Sequence, residues 1–336
     1  MSEAQDRHRP RRFAALDLGT NNCRLLVAAP ARRGYRVLGG YSRIVRLGEG
    51  LATTGHLAEP AMNRTVEALQ ECARRIAQHA VTDIACVATQ ACRLAANGSA
   101  FLERVKAQTG LSLKVITPEE EARLSALGCA ELVEPRAEIS LIVDIGGGST
   151  ELSFVEPHSM VAGREPRLVA WASLPIGVVS LADAFPEADQ DGDAWYSAMM
   201  GHTATALAEA NLPEALAEQF AAGRGQMIGT SGAVTSLAGV HLNLPRYRRA
   251  AVDGVWFKAK DCAETISQLR AMSQSQRSAH PCIGPERADL VVPGSAILEA
   301  LTQRYPSARI RVADRGLREG LLWRMACHGT AWGGSA

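Results

Sequence analysis

L-I-V-D-I-G-G-G-S-T-E-L-S-F-V, residues 141–155, sets an acid at the end of an apolar run, then three glycines, then a second acid. Leu141 to Val143 with Ile145 predict a buried strand, and Leu152, Phe154 and their alternating neighbours predict another, which makes the glycines the turn of a hairpin. Glycine has no Cβ to hold a ligand away from the backbone, so consecutive N–H groups there can converge on an anion. Asp144 and Glu151 flank that turn. Two carboxylates beside a phosphate suit a hard cation such as Mg2+ held through oxygen and water, whereas a plain tight hairpin with exposed acids would account for the same letters.

A second copy of the pattern weighs on that choice. Residues 15–27 read A-L-D-L-G-T-N-N-C-R-L-L-V, and Asp17 aligns with Asp144 through strand, acid, aliphatic, glycine, polar turn and strand. Two acid-tipped hairpins, one beginning each half, predict duplicated α/β domains whose phosphate loops face each other across a cleft. The 336 residues suffice for two cores, and the 47% hydrophobic content suits ordinary globular packing. No apolar run is long enough for a bilayer, and M-S-E-A-Q-D-R-H-R-P-R-R lacks the apolar segment of a secretory signal, so the expectation is a cytoplasmic protein without a membrane partner. Eight cysteines, with no C-x-x-C pair and no clustered histidines, read as reduced core residues. A net charge of +1 argues against a globally basic DNA binder, although Arg7, Arg9, Arg11 and Arg12 crowd the start, read as a tail, and Arg246, Arg248 and Arg249 crowd a later loop.

Between the hairpins, the pattern predicts a third strand near Tyr35 to Tyr41, a helix over 60–79, a strand over 83–88, a helix ending before Gly110 and a strand over 112–116. T-P-E-E-E-A-R-L-S-A-L then predicts a helix with Thr117 as N-cap, Pro118 first and Glu120 as capping-box partner, which puts Glu119, Glu120 and Glu121 in its first turn. Acids belong there on dipole grounds alone, yet a carboxylate just past a strand end is also where open α/β sheets place their chemistry. Residues 131–138 mark the expected crossing between domains. Q-M-I-G-T-S-G-A-V-T-S-L-A predicts strand, loop and helix, with Gly229, Thr230, Ser231 and Gly232 at a helix start able to bind an anion or simply to allow close packing. Residues 309–326 predict a last strand and helix with Asp314 and Gly316 at their junction.

D-L-G-T-N-N-C-R-L-L-V, A-T-Q-A-C-R-L-A-A-N, E-E-A-R-L, V-D-I-G-G-G-S-T-E-L, L-P-I-G-V-V-S-L, I-G-T-S-G-A-V-T-S-L and A-D-R-G-L-R-E-G-L-L occur in this order from residue 17 to residue 322. Together they resemble the exopolyphosphatase and guanosine pentaphosphate phosphatase family, a branch of the actin-like, Hsp70-like and sugar-kinase superfamily. The resemblance implies two duplicated actin-like, ribonuclease H-like domains around a cleft: residues 1–130, with a helix over 316–336 packing back on them, and residues 131–315. It implies Glu121 as general base, Asp144 and Glu151 as ligands of Mg2+ or another divalent cation, and Asp17 near that cation. It assigns Gly146, Gly147, Gly148, Ser149, Thr20, Asn21 and Asn22 to the terminal phosphates, adds Arg93 and Asn97 as substrate contacts, and leaves Arg24 a weaker candidate. The family's first loop often reads G-S-N-S, where this chain has Thr20 and Asn22. The implied activity is release of orthophosphate from the end of inorganic polyphosphate, with guanosine pentaphosphate as the alternative substrate; an ATP-dependent kinase and a non-catalytic sensor are the rivals. A homodimer stays open as the assembly. The long members' additional C-terminal helical domain is not expected here.

Overall fold

Two mixed sheets carry the structure, each begun by one of the acid-tipped hairpins. The computed structural model describes residues 10–160, 164–187 and 192–328; Arg7 and Arg9 of the basic start, and residues 329–336 of the expected last helix, lie outside the described residues. The first sheet joins β1 (Phe13–Leu18), β2 (Asn22–Pro30), β3 (Tyr35–Ile44), β4 (Asp83–Ala88) and β5 (Lys114–Val115) in the order β3-β2-β1-β4-β5. The second joins β6 (Ile139–Ile145), β7 (Thr150–Val155), β8 (Leu168–Leu174), β9 (Gly225–Thr230), β10 (Trp256–Lys258) and β11 (Arg309–Ala313) in the order β10-β11-β9-β6-β7-β8.

Read from β8, the second sheet repeats the first, and β10 is an antiparallel addition at its far edge. In both, three antiparallel strands precede strands that join parallel: β1 with β4 and β4 with β5, then β6 with β9 and β9 with β11. The repeat reaches single hydrogen bonds. Gly19 N donates to Asn22 O and Gly146 N to Ser149 O, each at 2.9 Å, closing equivalent turns two residues after Asp17 and Asp144. This is a duplicated α/β fold, one mixed sheet to each half.

The helix Glu59–Gln78 turns Val66, Leu69, Cys72 and Ile76 onto one face of the first sheet, as the 3.6-residue spacing requires. The opposite face, with Phe13, Ala15, Leu26, Ala28, Ala85 and Val87, is covered by Leu124 of the helix Pro118–Cys129 and by Leu317, Leu321, Leu322 and Met325 of the helix Leu317–His328. The last helix of the described chain thus completes the core of the first sheet. The two helices cross in near-backbone contact: a Cβ on Gly128 would lie 1.9 Å from Gly316 O, and one on Gly320 2.1 Å from Leu124 O. Only glycine permits that approach.

Several local expectations change. The strand over 112–116 shrinks to Lys114–Val115, an edge paired only with Val87 and Ala88. Thr117 caps its helix through Glu120 N (3.2 Å), but the Glu120 side chain accepts from Arg324 Nη1 (2.6 Å) rather than completing a capping box. Arg11 and Arg12 belong to the fold: Arg11 pairs with Asp83 at 3.1 Å, and Arg12 N donates to Thr82 Oγ1 at 3.0 Å. Segment 131–138 is pinned to the second sheet, because Gln226 accepts from Glu134 N and donates to Leu132 O. The crossing between halves therefore lies in the helix before it, which touches β6, β7 and β8 as well as the last helix. No helix of the described residues is long and apolar enough to cross a membrane.

Candidate active site

Between the two hairpin turns lies a cavity of about 90 Å3. Asp17, Thr20, Asn21, Asn22 and Arg24 line it from the first half, Gly146 to Ser149 and Glu151 from the second, and Glu121 from the connecting helix. The turns nearly touch: a Cβ on Gly147 would sit 2.9 Å from Asn21, and one on Gly148 would collide with Gln90 Oε1 at 1.9 Å. The glycines thus serve the approach of the opposite loop. Their carbonyls bond elsewhere. Gly146 O and Gly147 O accept from Val178 N (2.9 Å) and Val179 N (2.7 Å) at the start of the helix Val178–Ala184, and Gly148 O accepts from Ser180 Oγ (3.2 Å).

Strand register explains the acids. Asp17 stands opposite Arg24 in β1–β2, whereas the equivalent position in β6–β7 sets Asp144 opposite Glu151. One hairpin therefore carries an acid and a base, the other two acids, and like charges directly opposite destabilise a sheet. Asp144 is held from two elements: Oδ1 accepts from Ser231 Oγ (2.5 Å) and Oδ2 from Ser125 Oγ (2.6 Å). Glu151 Oε1 accepts from Ser173 Oγ on β8 at 2.9 Å. Glu121, 9% exposed, accepts from Arg93 Nη1 at 3.2 Å, and the same nitrogen donates to Ile116 O at 2.6 Å.

Burial, with the neighbouring negative charge of Asp144, pushes Glu151 up to about 7. Burial pushes Asp17 up to about 6, although Arg24 and Arg318 pull it down. Glu121 is held well above the usual carboxylate range by burial and the charge of Glu151, against the pull of Arg93. The site thus gathers more negative charge than its own arginines neutralise. Every candidate donor is an oxygen, including Asn21 Oδ1 and Asn22 Oδ1, which are buried without a partner. Such a set fits a hard cation. Among the described residues, however, no three acids, histidines or cysteines form a direct cage, so Asp17, Asp144 and Glu151 do not make a three-carboxylate site. Mg2+ needs none: it keeps several waters and takes one or two carboxylates.

Asn97, Gly229 and Thr230 lie off this cavity. Asn97 donates to Leu57 O (3.0 Å) and accepts from Leu57 N (2.8 Å), so its amide is spent fastening a loop. Gly229 is buried in β9, where a Cβ would strike Val234. Thr230 Oγ1 donates to Arg315 O at 2.6 Å. Ser231, with φ 73°, opens the helix Ser231–His241 and lines the cavity with Gly232. Arg249 of the later basic loop pairs with Glu319 at 2.6 Å, and Tyr247 donates to Asp314 at 2.6 Å, so that loop is tied to the C-terminal segment. Sequence reading passed over Ser125, Ser173, Arg287 and Arg318. Ser125 was readable, being one helical turn after Glu121; Ser173 carries no local signal, since its role comes from the pairing of β7 with β8.

Residues 26–328 match the Ppx/GppA phosphatase family. The chain is similar to Exopolyphosphatase 2 of Mycobacterium tuberculosis, 30% identical over 328 residues, 94% of this chain and 98% of the relative. Among solved structures it resembles an exopolyphosphatase from Cytophaga hutchinsonii, with a TM-score of 0.82, 26% identity, and 94% and 98% of the two chains covered. It also resembles the Aquifex aeolicus member of the Ppx/GppA family, with a TM-score of 0.75, 28% identity, and 94% and 97% covered. A family match over most of the chain, joined to a cleft lined by two equivalent hairpins, shows that this chain belongs to the Ppx/GppA phosphatase family.

Proposed function

We propose that the chain is an exopolyphosphatase that hydrolyses the terminal phosphoanhydride of inorganic polyphosphate and releases orthophosphate. The observation that carries this reading is the like-charge pair Asp144–Glu151 facing Glu121 in a cavity of about 90 Å3. The space between the glycine loop and the Thr20–Asn22 loop can receive a terminal phosphoryl group beside the three carboxylates. With the glycine-loop carbonyls and Gly146 N occupied, the amides of Gly147 and Gly148 are the groups left for an anion, and Thr20, Asn21, Asn22 and Ser149 add polar side chains.

In this reading Glu121 takes a proton from water as the water oxygen bonds to the terminal phosphorus and the bridging P–O bond breaks; the bridging oxygen leaves on the shortened chain. Burial makes Glu121 a stronger base than an exposed carboxylate, and Arg93 fixes its orientation. Asp144 and Glu151, with Asp17 nearby, would hold Mg2+ or another divalent cation, which when bound supplies charge neutralisation at the phosphoryl oxygens. Ser125, Ser231 and Ser173 orient those carboxylates. Cysteines that are all free suit a reducing compartment such as the cytoplasm.

The test is phosphate release from polyphosphate and from guanosine pentaphosphate with Mg2+, using wild type and Glu121→Gln. Polyphosphate should be the better substrate, and the variant should lose about 100-fold or more in turnover while still binding cation. A folded variant with unchanged turnover would return Glu121 to plain helix capping.

A further inference from the structure

Segment 45–50 joins the first phosphate loop to the far side of the cleft. Its amides hold the loop: Val45 N and Arg46 N donate to Asn21 O at 2.9 and 3.0 Å, and Gly48 N to Thr20 O at 2.9 Å. Its side chains reach the second half. Arg46 Nη1 and Nη2 each lie 2.8 Å from a different oxygen of Asp289, and Nη2 also donates to Glu286 O at 3.1 Å. Gly50 N donates to Asp183 Oδ2 at 3.2 Å.

The partner is built to receive it. Arg277, 1% exposed, donates through Nε to Ala288 O at 2.9 Å and through Nη1 to Met272 O at 2.7 Å, and pairs with Glu187. The backbone next to Asp289 is thereby fastened from inside the second half. Arg46 itself adopts φ 47°, a left-handed conformation that costs a non-glycine residue free energy.

We propose that Arg46 is a positioning residue for the phosphate cleft: its forked pair with Asp289 clasps the two halves and holds the Thr20–Asn22 loop against the glycine loop. An exposed single-contact ion pair would contribute little. This pair is bidentate, only 29% exposed on each side, and backed by a third hydrogen bond and a buried anchor. Breaking it lowers the closed, binding-competent fraction, which raises the apparent dissociation constant in proportion while leaving the chemical step of the closed form intact. The kinetic part rests on the proposed phosphatase reading; the conformational part does not.

Three variants test the clasp. Arg46→Gly suits the backbone angle and removes the guanidinium, Asp289→Asn removes the other charge, and Arg46→Asp with Asp289→Arg restores the pair in reverse, aspartate being tolerated at left-handed angles. Small-angle scattering without substrate should give a larger radius of gyration for each single variant and a return toward wild type for the swap. KM for short polyphosphate should rise about tenfold in each single variant with kcat at or above the wild-type value, the two single effects should coincide rather than add when combined as Arg46→Gly with Asp289→Asn, and the swap should recover most of the loss. Scattering identical to wild type, an unchanged KM, or fully additive single effects would each overturn the clasp. Should the wild type release no phosphate from polyphosphate, the phosphatase reading falls and the scattering alone decides the clasp.

Discussion

Glutamine in place of Glu151 should raise the melting temperature of the cation-free protein at pH 8 and leave it unchanged near pH 4. The side chain is 2% exposed, directly opposite Asp144, and receives the Ser173 hydroxyl at 2.9 Å, a bond that an amide oxygen keeps. Burial and the Asp144 charge raise its pKa from 4.5 to about 7. A carboxyl raised in this way adds stability while it is protonated in the fold; that contribution is complete below about pH 4.5 and is lost as pH rises through about 7. The shift corresponds to about 3 kcal/mol. At roughly 2–4 °C per kcal/mol, the variant should melt roughly 6–12 °C above wild type at pH 8 in EDTA. Millimolar Mg2+ should then narrow the gap, because the cation neutralises a charge that only the wild type carries. Scanning calorimetry from pH 4 to pH 8, in EDTA and in Mg2+, reads all of this. A variant melting at or below wild type at pH 8 in EDTA, or a gap of equal size at pH 4, would refute the electrostatic reasoning.

Ser125→Ala and Ser231→Ala each remove a hydroxyl from Asp144, so cation affinity measured by titration calorimetry should fall about tenfold or more in either variant, the usual scale for groups that orient a metal ligand. Gly320→Ala drives a methyl group against Leu124 O and should destabilise by about 1–3 kcal/mol in urea unfolding while also lowering kcat, because the helix that shifts carries Glu121 and Ser125. Asn97→Ala should lower stability by about 1–2 kcal/mol and leave KM for polyphosphate unchanged, since its amide serves Leu57.

Much of the framework was legible because it is written in local patterns. The two D-x-G turns, the apolar run that forms β6, the strand around Leu152 and Phe154 and the helical spacing of Val66, Leu69 and Ile76 each depend on a few adjacent residues, and each appears within a residue or two of its expected place. The same holds for the residues that line the cavity from the two turns. What failed depends on neighbours distant in sequence. Asn97 reads as a polar residue in a motif, but Leu57 claims its amide; Gly229 reads as part of an anion loop, but Val234 and Ile310 fill the space beside it. Glu120 leaves its capping role for Arg324, about two hundred residues later. The loop of Arg246, Arg248 and Arg249 looked like a free basic patch because nothing nearby in sequence announces Asp314 and Glu319 as partners of Tyr247 and Arg249.

The dependence of the first sheet on the last helix has a consequence for synthesis. Phe13, Ala15, Leu26, Ala28, Ala85 and Val87 leave the ribosome well before Leu317 to Met325, which complete the cover that Leu124 begins. At about 5–20 residues per second, that apolar face waits roughly 10–50 s for its cover. The second sheet closes hardly sooner, since its core needs Ile310 and Val312 of β11, so throughout that interval the first sheet offers a sticky surface to chaperones or to a neighbouring nascent chain. Slow translation before residue 317 should therefore lower the yield of native protein, and a peptide of residues 317–328 supplied in trans should recover part of it.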